Sequence, residues 1–333
     1  MQPGVFAPNP ILRGYWYAVA QSSDIAPGPI AVTLLGERLV LWRTADGILA
    51  AAYDRCPHRE APLSLGQVVE NGLQCPYHGW TFGADCACVR IPSAPLEQAI
   101  PATACLTTVH ATERYGLAWV SLDAPVADIP TMAYDGDKLF RRINTPVEVW
   151  RVSATRMADN FMDIAHVPWV HTGTIGRAEN TLVHPLTLEP LDDIFYGYRY
   201  TIEVNNSDAT PTMSRSRAPV VRRWMTTGFA LPFTVRSMIP YDTGLEHILL
   251  LLTTPIDDVT SYFTFVVRRN DDFSIPADEV IAFDRSIGLE DKALLERIPG
   301  VLPLDVTATA SVQADRPSQA WRRQFATLFH GKD

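Results

Sequence analysis

The stretch Cys56-Pro57-His58 and, sixteen residues later, Cys75-Pro76-Tyr77-His78 decides how this chain is organised. It pairs a thiol with an imidazole twice, first as C-x-H and then as C-x-x-H. Thiolates and imidazoles are ligands for zinc, iron and copper, whereas calcium and magnesium prefer oxygen. The stretch therefore predicts a transition-metal centre, and the way the residues are paired bears on which metal it holds.

Zinc and an iron–sulfur cluster are the two alternatives for these four side chains. In a zinc finger the cysteines usually form one pair and the histidines the other. Here each short segment supplies one of each, which favours a cluster with chemically different ends. In a Rieske [2Fe–2S] centre two cysteines hold one iron and two histidines hold the other. The pairing favours this cluster, bound by Cys56, His58, Cys75 and His78, and leaves zinc as the minor alternative.

The composition excludes several other classes of protein. The 28 basic and 37 acidic residues give a net charge of −9, so no global basic field attracts nucleic acid or an anionic membrane. The longest strongly apolar run, residues 248–252, is too short to span a bilayer, and the first ten residues lack the pattern of a signal peptide. Three cysteines remain beside the cluster pair, which argues against a disulfide framework. We expect a cytoplasmic protein without a membrane segment.

The first part of the chain has the rhythm of a small antiparallel β domain. Between residues 15 and 55, short β-like runs alternate with the turn signals Pro-Gly, Gly-Glu and Asp-Gly. Such a domain can present two rigid loops that carry the cluster ligands. The run 115–122 is its last clear strand, and a Pro- and Asp-containing linker follows. We place a first domain at residues 1–130 and a second at residues 131–333.

The second domain contains a pair of histidines, His166 and His171. Residues 153–166 are predicted to form a helix that carries Asn160, Asp163 and His166 on one flank, and Pro168 is expected to end it just after His166. Residues five apart in a straight helix point about 140° apart. The predicted break allows both imidazoles to converge on one metal ion.

Two histidines need a carboxylate to complete the facial triad of a mononuclear iron site. A second helix is predicted from Pro276 to about residue 298, and near its apolar stripe lie both Asp284 and Asp291, with Glu290 to one side. A carboxylate in an apolar stripe is costly unless it is paired or bound to metal. Helix geometry leaves both aspartates open. The stripe consists of Val280, Phe283, Ile287, Leu294 and Ile298.

In combination these motifs resemble those of the Rieske non-haem iron oxygenases, over nearly the whole chain. The resemblance implies an α+β protein, with an N-terminal all-β Rieske domain and a C-terminal helix-grip catalytic domain whose curved antiparallel sheet uses strands near 194–204, 219–240, 246–254 and 260–269. It also selects Asp291, in Glu290-Asp291, as the third ligand beside His166 and His171. The cofactors would be the [2Fe–2S] cluster and a mononuclear Fe(II).

The likeness is greatest to single-component oxygenases such as vanillate and dicamba O-demethylases. It implies a terminal oxygenase that uses O2 to hydroxylate or demethylate a small organic substrate, with electrons from a ferredoxin or flavin reductase. It also implies a homotrimer in which Asp163 bridges to His78 of the adjacent chain, with Asn160 near the iron. An aromatic-ring cis-dihydroxylase and a Rieske electron carrier without oxygenase activity remain the alternatives.

Overall fold

The computed structural model describes residues 6, 9–25, 28–70, 72–206 and 214–331. By its internal packing the chain divides into two compact units, Met1–Ile129 and Pro130–Asp333. Each unit carries one of the two groups of candidate ligands, so each is considered by itself.

The described residues of the first unit form ten short strands in three antiparallel sheets. Their orders are β1-β10-β9, β2-β3-β4 and β5-β6-β7-β8. Most strands are short and meet at tight turns, as the sequence predicts. The strands are β1 (Tyr17–Gln21), β2 (Ile30–Leu34), β3 (Glu37–Arg43), β4 (Leu49–Tyr53), β5 (Gln67–Val69), β6 (Gly72–Gln74), β7 (Thr81–Phe82), β8 (Cys88–Arg90), β9 (His110–Arg114) and β10 (Leu117–Ser121).

Both candidate cysteine ligands belong to the hydrophobic core of this unit. Cys56 and Cys75 are buried and pack in one cluster with Trp42, Leu73 and Phe82. All five cysteines of the chain are free thiols. The core therefore holds the two loops that present the cysteines, while the loop tips reach the surface.

The second unit is dominated by one eight-stranded antiparallel sheet of order β11-β18-β17-β16-β15-β14-β13, with β12 also paired to β18. The strand at residues 261–269, for example, is rich in the β-branched and aromatic residues that suit a pleated surface. The predicted segment 219–240 is two strands joined by a turn at residues 231–233. The strands are β11 (Arg141–Asn144), β12 (Glu148–Trp150), β13 (Leu188–Pro190), β14 (Tyr196–Asn205), β15 (Val220–Ala230), β16 (Thr234–Pro240), β17 (Glu246–Pro255) and β18 (Ser261–Arg269).

The α-helices described beside the sheet are α1 (Ala154–Met162), α2 (Val167–Val170), α3 (Ala277–Leu295) and α4 (Arg316–His330). Helix α3 begins at Ala277, one residue after the predicted start at Pro276, and buries Val280 and Phe283. The predicted apolar stripe is wrong at its end, because Leu294 and Ile298 are 45% and 37% exposed and Leu295 is buried in their place. The α+β fold with an all-β first unit and an antiparallel catalytic sheet is confirmed.

In the described part of the chain, no helix is both long and apolar enough to cross a membrane.

Candidate metal sites

The two loops of the first unit share one backbone design. In each loop the cysteine N–H donates to the carbonyl five residues later, Ala61 after Cys56 and Trp80 after Cys75, at 2.9 and 2.8 Å. In each, the N–H four residues later donates back to the cysteine carbonyl, at 2.8 and 3.1 Å. Glu60 and Gly79 occupy that position, both with positive φ, at 57° and 71°. In the structure, both pairs of candidate ligands therefore lie on the same kind of turn.

The four side chains separate into a buried thiol end and an exposed imidazole end. Burial, together with the neighbouring Cys75, raises the pKa of Cys56 to about 11, although the His58 N–H opposes the rise. The rings of His58 and His78 are exposed, with centroids 4.5 Å apart. Trp80 stacks on His58 at 4.5 Å, so it supports the imidazole of the other loop. A thiolate pair at this buried end needs a cation to neutralise it.

This separation distinguishes a cluster from a single ion. The ligand atoms of one tetrahedral zinc lie about 3.3–3.8 Å apart. Across the described residues, the one group of three or more candidate ligand atoms within 4.8 Å of one another is that of His166, His171 and Asp291. Cys56, His58, Cys75 and His78 do not converge in this way, but present paired thiols and paired rings. They fit a [2Fe–2S] centre with unlike ends and do not fit one zinc ion.

The segment between α1 and α2 differs from the sequence prediction. Helix α1 ends at Met162, so the expectation that it continues to His166 is wrong, and Pro168 lies in the first turn of α2 instead of ending a helix. Asp163 causes the break: its backbone is extended at ψ 150°, and its carboxylate accepts the N–H groups of Ala165 and His166, each at 3.0 Å. A side chain that offers the backbone such hydrogen bonds competes with the helix.

The break brings the two imidazoles together. The Nε2 atoms of His166 and His171 are 3.1 Å apart, and Asp291 Oδ1 lies 3.6 and 3.5 Å from them. Three atoms on one face of an octahedral ion with bonds of about 2.1 Å would be about 3 Å apart. The triangle is therefore of the size that one metal ion requires.

The hydrogen bonds of the two rings also indicate a metal site between them. His166 Nδ1 lies 3.0 Å from Asp163 Oδ2, and His171 Nδ1 lies 3.0 Å from Glu290 Oε2. An ionised carboxylate only accepts hydrogen bonds, so each ring carries its proton on Nδ1. Two nitrogen lone pairs and a carboxylate oxygen then face one point, which favours a cation there. Burial lowers the pKa of His171, which favours the neutral ring that a metal ligand must be. Burial acts in the same direction on His166, but Asp163 and Asp291 outweigh it and raise the pKa of that ring.

The structure separates the two aspartates that helix geometry left open. Asp284 Oδ2 lies 3.3 Å from Nε2 of the buried His247, whose Nδ1 accepts a hydrogen bond from Arg269 at 3.0 Å. Arg269 in turn pairs with Asp271 at 2.8 Å. Asp284 therefore faces a buried imidazole of the sheet, whereas Asp291, two turns later, faces His166 and His171.

Asn160 and Asp163 flank this triangle on the side of a polar cavity. Asn160 Nδ2 donates to Asp291 Oδ1 at 3.1 Å, the same oxygen that faces both histidines. Both residues line a cavity of about 310 Å³ together with Asp159 and Arg322, which form an ion pair at 3.0 Å. Hydrogen bonds from His166 and the Ala165 N–H lower the pKa of Asp163, although burial opposes them. Asp163 is thus an ionised group within reach of solvent.

Sequence reasoning did not assign a role to Glu290, Gly173 or Thr174. Glu290 contacts His171, and the other two contact Glu290. The signal in the sequence is a second carboxylate beside Asp291, but its contacts depend on how α3 packs against the loop after α2.

Comparisons with known proteins cover both units. The profile of the Rieske [2Fe-2S] domain family matches residues 15–104, and that of the vanillate O-demethylase oxygenase C-terminal domain matches residues 150–330. The methylxanthine N1-demethylase NdmA of Pseudomonas putida is 31% identical, over 95% of this chain and 89% of its own length. The methylxanthine N3-demethylase NdmB of the same organism is 30% identical with the same coverage.

Comparison with solved structures gives the same result as comparison of sequences. The structure of NdmA from Pseudomonas putida CBB5 with caffeine superposes with a TM-score of 0.80 at 27% identity, over 97% of this chain and 93% of that one. The first family profile includes all four candidate cluster ligands, and the second includes His166, His171 and Asp291.

Proposed function

The chain belongs to the Rieske non-haem iron oxygenases with a vanillate O-demethylase-type catalytic domain, and we propose that it removes a methyl group from nitrogen or oxygen of a small aromatic or heterocyclic compound. It is a terminal oxygenase component that uses O2 and electrons supplied by a ferredoxin or flavin reductase. The proposal of demethylation rests on the similarity to methylxanthine demethylases and to the vanillate O-demethylase domain.

The overall reaction balances as follows. The methyl substrate, O2, two electrons and two protons give a hydroxymethyl product and water. A hydroxymethyl group on nitrogen or oxygen then breaks its bond to that atom and leaves as formaldehyde. When bound, the [2Fe–2S] cluster supplies single electrons and the mononuclear Fe(II) activates O2.

The observation that carries the oxygenase assignment, as distinct from the choice of demethylation, is the triangle of His166, His171 and Asp291, with sides of 3.1–3.6 Å. We assign these three as the iron ligands, and Cys56, Cys75, His58 and His78 as the cluster ligands. Three protein ligands on one face leave the opposite positions open for O2 and substrate. Asn160 holds Asp291 Oδ1 through its Nδ2–H, which keeps the carboxylate oriented toward the histidines.

Asp163 is assigned to bridge two subunits of a homotrimer. Its carboxylate already holds His166 Nδ1–H and two backbone N–H groups, and it borders a cavity that a partner can approach. In the proposed trimer, His78 of the adjacent chain donates to Asp163. This contact would fix the protonation of both imidazoles and shorten the path for electrons. Sedimentation of the purified protein tests the trimer, and a monomer at assay concentration would contradict it.

A substrate screen tests the proposed reaction. The protein, a surrogate reductase and reduced nicotinamide are mixed with N-methyl heterocycles and methoxylated aromatic acids, and O2 uptake and formaldehyde are measured. We expect uptake that depends on one compound class, with equimolar formaldehyde and one oxygen atom from labelled O2 in that formaldehyde before exchange. A cis-diol containing both atoms of O2 would instead establish a ring dioxygenase. His171→Ala, which should keep the cluster spectrum, is the inactive control.

A further inference from the structure

Glu290 holds three groups of one loop with a single carboxylate. Its Oε1 accepts the Gly173 N–H at 2.9 Å. Its Oε2 accepts the Thr174 hydroxyl at 2.7 Å and lies 3.0 Å from His171 Nδ1. Because Glu290 precedes Asp291 on α3, one helix turn supplies a proposed metal ligand and the partner of another.

The direction of these hydrogen bonds fixes the state of His171. Both other contacts to the carboxylate come from donors, so Glu290 is bound as an ionised acceptor. The His171 proton must then lie on Nδ1, and the Nε2 lone pair points toward His166 Nε2, 3.1 Å away. Without this carboxylate the ring could rotate or carry its proton on Nε2, and neither state binds a metal ion.

The carboxylate of Glu290 lies against the backbone at Gly173. A methyl group at Gly173 would lie 2.7 Å from Glu290 Oε1. That oxygen is the end of a flexible side chain, so alanine at position 173 would move the carboxylate while the backbone stays in place. The loop thus offers a way to displace Glu290 without changing its charge.

We propose that Glu290 is the positioning residue of His171, which sets the tautomer and orientation of this imidazole toward the metal. The inference rests on the proposed assignment of His171 as a ligand. Asp163 holds His166 in the same manner, but from a loop that borders the cavity, whereas Glu290 is committed to residues of its own domain. The two histidines therefore have separate carboxylate partners.

Cobalt binding tests this role without turnover. The full-length protein keeps its cluster, its mononuclear metal is removed by mild chelation, and Co(II) is titrated by its visible ligand-field absorption. Glu290→Gln should weaken Co(II) binding about 10- to 100-fold and change the band shape, because the amide can donate to Nδ1 and stabilise the wrong tautomer. Gly173→Ala should weaken binding in the same direction. Thr174→Val should have a smaller effect, which Thr174→Ser restores.

The control is Glu279→Gln, an exposed glutamate in the first turn of α3 with the same change in charge. It should match wild type. Wild-type affinity and band shape in both Glu290→Gln and Gly173→Ala would overturn the positioning role. If His171→Ala still binds Co(II) as wild type does, the proposed metal site itself is wrong and the inference falls with it, so the two failures are distinguishable.

Discussion

Asp163→Asn should separate the two tasks assigned to Asp163. In the wild type, Oδ1 accepts the Ala165 N–H, and Oδ2 faces both the His166 N–H and His166 Nδ1, all at 3.0 Å. The amide has nearly the same shape, but its NH2 group must replace one of these oxygens. At the Oδ2 position it would oppose two donors, and an unsatisfied buried donor costs about 1–3 kcal/mol.

A change of tautomer in His166 relieves one of these two clashes. If its proton moves to Nε2, Nδ1 can accept from the new amide, but an N–H then faces His171 and Asp291. A metal ion must reverse this change in order to bind. At about 1.36 kcal/mol for each factor of ten, a penalty of about 1–3 kcal/mol predicts about 5- to 150-fold weaker binding at the mononuclear site.

Two measurements on the variant distinguish positioning from bridging. Competition with a chelator gives the Fe(II) affinity. Stopped-flow mixing of the reduced protein with O2 and substrate gives the rate of cluster reoxidation. Even at saturating Fe(II), this rate should be at least about tenfold lower in the variant than in the wild type. Reoxidation at the wild-type rate under saturation would refute the bridge, and wild-type Fe(II) affinity would refute the tautomer argument. Asp278→Asn, an exposed change of the same kind, should match wild type.

Three further predictions concern the catalytic unit and its metals. Asp284→Ala removes the carboxylate 3.3 Å from His247 Nε2 and leaves this buried nitrogen with no acceptor nearby among the described residues, so the free energy of unfolding in urea should fall by about 1–3 kcal/mol; unchanged stability would show that this contact does not stabilise the fold. Asn160→Ala removes the donor to Asp291 Oδ1, and Fe(II) affinity by chelator competition should fall about tenfold with the cluster spectrum intact; an unchanged affinity would contradict this contact. Mild chelation should lower iron from about three to about two atoms per chain and abolish turnover while the cluster absorption persists, and loss of both together would argue against separate sites.

Local signals in the sequence were sufficient to predict the [2Fe–2S] cluster and most of the strands. The cysteine and histidine spacings in residues 56–78 are short, and each pair lies within one turn whose geometry depends on neighbouring residues. In the second turn the residue with a positive φ is Gly79, and glycine adopts this conformation readily. The first turn uses Glu60 at the equivalent position, so the identity of the two turns was not visible from sequence.

The helix end at Met162 was not predictable in the same way. Proline is a stronger sequence signal for a helix end than aspartate, and Pro168 led to a predicted end at His166. The observed end is at Met162, four residues earlier. The deciding interaction is that of the Asp163 carboxylate with two N–H groups of its own loop, which competes with hydrogen bonds that a continued helix would make. An aspartate within a helical pattern can also remain exposed on a continued helix, so the sequence alone did not distinguish the outcomes.

The choice between Asp284 and Asp291 shows why a ligand set cannot follow from helical periodicity. Seven residues are close to two turns, so both carboxylates lie on one face of α3, about 10 Å apart along its axis. What separates them is the strand opposite: the pairing of His247 with Arg269 in the register of β17 and β18 places a buried imidazole across from Asp284. Asp291 lies beyond that pair and meets His166 and His171, the residues that flank α2. The difference arises from sheet register and the Asp163 break together, both of which depend on residues far from α3.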